Sequence, residues 1–217
     1  MDNSLRQLQE RHNLIDESLR HALKRTIAQL IYWRPELLKD MFDLEDLALF
    51  SFPFIKLFRR NELILFETLA TLIDNNYFFD NKLKEESQMF ELVSTLLKRE
   101  CLKLESHLNA LKVKTSDYCL PLIISVFSEV FLRDDWLIIS DNIMTYGPKI
   151  YIYLVVSYCH LSQQSLLRMQ TIDEICNYFR AQNSMPVNKV IQLANELSKK
   201  YVSLIPFTIR CLTKNAY

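Results

Sequence analysis

The side chains able to do chemistry are few and scattered. Four histidines (His12, His21, His107 and His160) stand far apart, without the short spacings that hold a metal ion. Five cysteines (Cys101, Cys119, Cys159, Cys176 and Cys211) form no C-x-x-C pair, and most fall inside apolar helical patterns, so they read as reduced thiols buried in an intracellular protein. No G-x-S-x-G motif places a nucleophile. The remaining candidates are arginines. Arg20 follows Glu17 and Asp16 at helical spacing, which reads first as a surface ion pair. Arg59 and Arg60 form a charged knuckle, Arg59-Arg60-Asn61-Glu62, between two apolar runs of Leu49–Asp74.

Composition limits the frame that positions these groups. The 217 residues include a single glycine, Gly147, and six prolines. Hairpin turns and phosphate-cradling loops need glycine for positive φ, so β-sandwiches, dinucleotide folds and P-loops are excluded in favour of an all-α protein. Net charge is zero, 26 basic residues against 26 acidic, which offers no broad field to nucleic acid or anionic lipid. The N-terminus MDNSLRQLQER is polar and carries no signal peptide. The longest apolar run, Ile150 to Leu161, is shorter than the roughly 20 residues needed to span a bilayer. The expected location is the cytoplasm, or the periphery of a membrane through a partner.

The helical reading runs as follows. Apolar residues from Leu5 to Leu30 recur every three or four positions, predicting one long helix from Asn3-Ser4 to the residue before Pro35. A short helix is expected over Glu36–Met41, then a turn from Asp43 through Phe50. Pro53 is expected to open a separate helix to the Arg59 region, and Asn61 to cap Glu62–Leu72. A loop over Asp74–Asp80 precedes helices at about 83–99 and 100–111. Thr115–Asp117 reads as a break before a helix over Tyr118–Leu132, and another spans Arg133–Met144. Gly147-Pro148 is a clear stop. Ile150–His160 is β-branched and aromatic, yet it follows Gly-Pro among helices and reads as a buried helix. Thr171 to Glu174 matches a capping box, and Pro186 opens a last helix to about Tyr201.

The order of particular residues resembles the TBC domain, the helical domain of Rab GTPase-activating proteins. His107-Leu108 resembles its histidine–leucine pair, Tyr118 to Pro121 and Phe127-Ser-Glu its aromatic–proline helix, and Trp136 to Asp141 the helix that follows. Residues 52–73, 127–143 and 175–191 are similar to TBC domains of the branch that also carries WD repeats, and the resemblance covers about Leu14 to Leu197. It implies a single multi-helix TBC-type domain over 1–205, with two helical subdomains meeting near 75–100, and a tail over 206–217. The WD-repeat region expected before such a domain does not precede Met1, so the resemblance implies a short relative or a fragment. Phe50, Phe52, Phe54, Phe58 and Phe66 read as core, and His107 and Trp136 as structural.

What the resemblance implies about activity turns on two side chains. GTP hydrolysis needs developing phosphate charge neutralised and a water aligned. Active TBC domains supply an arginine, in I-x-x-D-x-x-R, and a glutamine, in Y-x-Q-G. Arg20, in Leu14-x-x-Glu17-x-x-Arg20, resembles the first loosely. The second would fall at Asp46-Leu47-Ala48-Leu49-Phe50, where Ala48 stands in place of glutamine and Leu49 in place of glycine; Y-x-Q-G occurs nowhere. The implied function is a binding or scaffold module that has lost its catalytic amide, with Asp46, Ala48, Arg59 and Arg60 near the partner surface. Its implied partners are a Rab-like small GTPase or proteins of a ciliary, centrosomal or trafficking assembly, without cofactor or metal. The alternatives are a working GTPase activator using Arg20 and a structural subunit of a larger assembly.

Overall fold

The computed structural model describes residues 17–38, 43–75 and 88–204. Every regular element among them is helical. The expected helix start at Asn3-Ser4, Leu14, His12, the stretch 76–80, Cys211 and the 206–217 tail lie outside the described residues. The chain divides into two compact units, Met1–Leu83 and Lys84–Tyr217.

In the first unit, α1 (Glu17–Trp33), α2 (Leu44–Leu57) and α3 (Glu62–Asp74) pack pairwise on one another. α1 is amphipathic: Leu23, Thr26, Ile27 and Leu30 are buried on one stripe. After it the backbone N–H of Arg34 donates to the Leu30 carbonyl (2.9 Å), and Leu37 is fully buried in the turn that follows. α2 departs from expectation. Two helices separated before Pro53 were expected, but one helix runs through with Pro53 inside it. The proline removes one intrahelical donor. The helix nonetheless continues: every residue from Leu47 to Ile55 is buried, and α1 and α3 both pack against it. Asn61 caps α3 as expected, its side-chain oxygen accepting from the Ile64 N–H at 3.1 Å.

In the second unit the elements are α4 (Gln88–Glu100), α5 (Leu102–Ala110), α6 (Thr115–Ile124), α7 (Arg133–Tyr146), α8 (Ile150–Leu161), α9 (Gln163–Leu166), α10 (Ile172–Tyr178) and α11 (Val187–Lys200), with a 3-10 turn at Val202–Leu204. α8 is the axis. All residues from Ile150 to Cys159 are buried, and α4, α6, α7, α9 and α11 all pack against it. A helix apolar on every side belongs in such a position. Its β-branched residues therefore do not make a strand.

The expected helix over 118–132 is corrected. It begins earlier, at Thr115, with Asp117 accepting from the Lys114 N–H (2.8 Å), and it stops at Ile124. Val126 and Phe127 then adopt positive φ, 52° and 62°. The Phe127 N–H reaches the Leu122 carbonyl (2.7 Å) and the Val126 N–H the Ile123 carbonyl (3.0 Å), closing the helix end as a Schellman motif. A left-handed non-glycine residue costs about 1–2 kcal/mol. Burial of both side chains and a hydrogen bond from Trp136 Nε1 to the Val126 carbonyl (2.9 Å) offset that cost.

Other stops follow the sequence reading. Gly147 ends α7 with φ 76°, the Thr171–Glu174 capping box forms in both directions, and Pro186 precedes α11. His107 and Trp136 are structural in geometry: His107 Nε2 lies 2.9 Å from the Met169 carbonyl, and Trp136 is the donor just described.

Candidate functional site

The candidate residues lie in the first unit, on α1, on α2 and in the turn between α2 and α3. Arg20 sits in the first turns of α1. Its guanidinium donates to Glu17 Oε1 at 2.9 Å, and its side chain is 34% exposed. The surface ion pair read from the spacing is therefore present. His21 also approaches Glu17, at 4.0 Å.

Ala48 lies in the middle of α2 with no exposed surface. Leu47 and Leu49 beside it are buried as well, and Asp46, one residue earlier, is half-buried. Ser51 follows Ala48 by three residues and so shares its face of the helix. Its hydroxyl is buried without a hydrogen-bond partner among the described residues. Ala48 is thus interior and carries only a methyl group.

Arg59 and Arg60 occupy a tight turn. The Phe58 N–H donates to the Phe54 carbonyl (2.8 Å) and closes α2; the Asn61 N–H returns to the Phe58 carbonyl (2.8 Å), and the Asn61 cap starts α3. Both arginines are exposed there. Sequence reasoning missed two features beside them. Leu63 and Ile64 on the first turn of α3 are 66% and 43% exposed, so the knuckle is apolar as well as basic. Arg25 on α1 pairs with Glu62 at the start of α3. That pair brings the knuckle alongside α1 at Arg25, five residues and about 140° of helix rotation from Arg20. The pair joins residues far apart in sequence, and only the helix period of α1 hinted which side Arg25 would take. Arg34 makes a comparable tie at the other end, to Asp74 (2.9 Å) and Glu36 (3.1 Å).

The structure thus brings Arg20, Arg25, Arg59 and Arg60 to the surface of one three-helix unit and leaves Ala48 inside it. Such an arrangement can pair with an acidic surface.

The thiols fit the inert role read from sequence. Cys101, Cys119 and Cys159 are buried and Cys176 half-buried, all as free thiols. Burial pushes the Cys101 thiol up to about 11, with the Glu100 carboxylate adding to the effect, and raises Cys119, Cys159 and Cys176. Among the described residues no group of His, Cys, Asp and Glu could hold a metal ion. No described helix is long and apolar enough to cross a membrane.

Comparison with known proteins adds the family. The family model described as the RabGAP TBC domain matches residues 45–201. Three proteins named TBC1 domain family member 31 are similar to the chain. That of Pongo abelii is 31% identical over 187 residues, covering 85% of this chain and 19% of its own length. That of Bos taurus is 31% identical over 192 residues, covering 88% and 18%. That of Homo sapiens is 31% identical over 187 residues, covering 85% and 17%. The chain therefore spans less than a fifth of the length of these relatives. Among solved structures, the Ypt/Rab-GAP domain of Gyp1p superposes with a TM-score of 0.63, covering 87% of this chain and 67% of that one. At 12% identity this likeness speaks for the fold alone.

Proposed function

The chain belongs to the RabGAP TBC domain family, and from that membership we propose that it binds a Rab-like small GTPase without accelerating its hydrolysis of GTP. One observation carries the reading. Ala48, where the family resemblance expects the catalytic glutamine, is a methyl side chain with no exposed surface. Aligning the attacking water needs a polar group at the phosphate. Arg20 alone could supply charge, but its guanidinium is held by Glu17. In this reading Arg59, Arg60 and Asp46 belong to the docking surface, where basic and exposed apolar residues meet an acidic, partly apolar partner. The setting we propose is a ciliary, centrosomal or vesicle-trafficking assembly. It rests on the resemblance to the WD-repeat branch of the family, and imaging of a tagged chain tests it.

Single-turnover GTP hydrolysis, measured with the purified chain against a panel of Rab-like GTPases, tests the central claim. The expected result is hydrolysis at each GTPase's own rate, together with retention of at least one GTP-loaded member on the immobilised chain. An arginine finger contributes on the order of 10³ to 10⁵ in rate, so activation would be plain to see. Acceleration that disappears in Arg20→Ala would overturn the proposal in favour of a working activator that borrows a glutamine from the GTPase.

A further inference from the structure

A cavity of about 450 Å³ opens in the second unit, where the end of α7, the first turn of α8 and the last turn of α11 with the 3-10 turn come together. Tyr146, Lys149, Ile150, Tyr153, Lys199 and Val202 form most of its wall. Ile150 and Tyr153 are buried and make an apolar floor; Tyr146 and Val202, 47% and 60% exposed, stand at the mouth.

We propose that this cavity binds a small amphipathic anion, a carboxylate or phosphate head joined to an aliphatic chain. Size is the first argument. Its volume falls within the roughly 300–1,000 Å³ of small-molecule pockets and is too small for a helix or a folded partner. Charge is the second. Two lysines line it, one from the α8 entry and one from α11, and among the described residues no carboxylate does. The neighbouring Lys200 is paired with Glu100 at 2.7 Å, whereas Lys149 and Lys199 make no ion pair with a described residue. Their stems can line the wall while the ammonium groups reach toward the mouth. The floor is the third argument: bare inorganic phosphate would leave Ile150 and Tyr153 without a complement, and a neutral alkyl chain would leave both lysines without one. The site belongs to the second unit and does not depend on the GTPase reading.

Calorimetric titration of the full chain with octanoate, octyl phosphate, 1-octanol and inorganic phosphate tests the proposal. One-to-one binding of octanoate or octyl phosphate is expected, and the tighter head identifies the source as a fatty acid or a phosphorylated lipid. Binding of 1-octanol should be weaker by roughly tenfold, the loss of about one charge-assisted contact. Inorganic phosphate should give no measurable heat. The double variant Lys149→Gln/Lys199→Gln should weaken octanoate to the level of 1-octanol. Val202→Trp, at an exposed position in the mouth, should block both alkyl anions while leaving the circular dichroism melt unchanged. Equal binding of octanol and octanoate, undiminished binding in either variant, or no binding of either alkyl anion would overturn the proposal.

Discussion

The two units invest their residues differently. The second gathers aromatic rings around α8. Phe127 stacks on Tyr151 (6.4 Å between centroids) and meets Phe131 and Tyr158; Tyr158 in turn meets Phe131, Tyr178 and Phe179. Two hydrogen bonds tie the tyrosines of this cluster: Asn183 Nδ2 donates to the Tyr158 hydroxyl (2.8 Å), and the Tyr178 hydroxyl donates to Ser162 Oγ (3.0 Å). The first unit buries its share along α2, but its distinctive side chains are arginines paired at the surface, Arg20 with Glu17, Arg25 with Glu62 and Arg34 with Asp74. Exposed pairs of this kind contribute about 0–1 kcal/mol each. Rigid packing and candidate chemistry are thus found in different units. A substitution in the aromatic cluster should act on stability, and one in the arginine surface on partner recognition.

The largest expected effect is in the aromatic cluster. Phe179 has no exposed surface and meets the rings of Tyr118, Tyr158 and Tyr178 at 5.6–5.9 Å. Phe179→Ala should destabilise by about 3–5 kcal/mol, read as a lower urea midpoint. A loss below about 1 kcal/mol would show that the ring cluster is not where the second unit holds its stability.

The interior of the first unit comes next. Ala48→Gln restores the side chain that the family resemblance expects, but into a site without free surface. Overpacking costs typically about 1–3 kcal/mol, and the buried amide adds an unsatisfied group. The expected result is a lower melting temperature with GTP hydrolysis unchanged. If the variant gained activity, the interior of α2 would have to open to a bound nucleotide, and the contrast between a buried frame and a surface site would fail.

How far could these differences be read from the sequence? Elements with local signals were legible. Asn61 and Thr171 have capping side chains, Gly147-Pro148 stops a helix, and the unbroken apolar run of α8 marks it as central. What failed depended on distant partners. Pro53 normally ends a helix, and only burial from neighbouring helices carries α2 past it. The stop after Ile124 has no glycine; it rests on the Trp136 bond to Val126, ten residues away. At the candidate site the spacing of Arg20 from Glu17 revealed the pair. The tie of α1 to the knuckle through Arg25 and Glu62 did not show, since ion pairs between helices leave no periodic trace.

A smaller effect separates the units by pH. In the second unit Glu100 accepts hydrogen bonds from Lys200 Nζ (2.7 Å) and the Tyr201 hydroxyl. Partial burial pushes its carboxyl upward, but these two donors outweigh burial and hold it below the usual carboxylate range. A carboxyl lowered by folding stabilises the native state above its unfolded pKa and loses that contribution as pH falls through the folded value. Stability should therefore decline below about pH 4.5 through this residue, and Glu100→Gln should flatten that part of the curve. Each donor is raised in turn by its hydrogen bond to Glu100, so the contribution of Lys200 and Tyr201 is present at neutral pH and fades above about pH 10. Denaturation midpoints from pH 3 to 7 in wild type and variant check this; identical slopes would remove Glu100 from the account.

The smallest effect on stability carries the sharpest functional meaning. Glu17→Ala releases Arg20 from the carboxylate it pairs with one turn earlier on α1. Glu17 is 72% exposed, and exposed helical pairs contribute about 0.3–0.5 kcal/mol, so the melting temperature should barely move. The freed guanidinium could then reach toward a bound GTPase. If Arg20 were held back only by Glu17, hydrolysis should rise in this variant and fall again in Glu17→Ala/Arg20→Ala. If the missing amide at Ala48 is the limiting loss, hydrolysis should stay at the GTPase's own rate in both, because charge neutralisation without an aligned water leaves the nucleophile unplaced. Single-turnover rates of the two variants decide between a restrained arginine and an absent glutamine, and so between a silenced activator and a binding module.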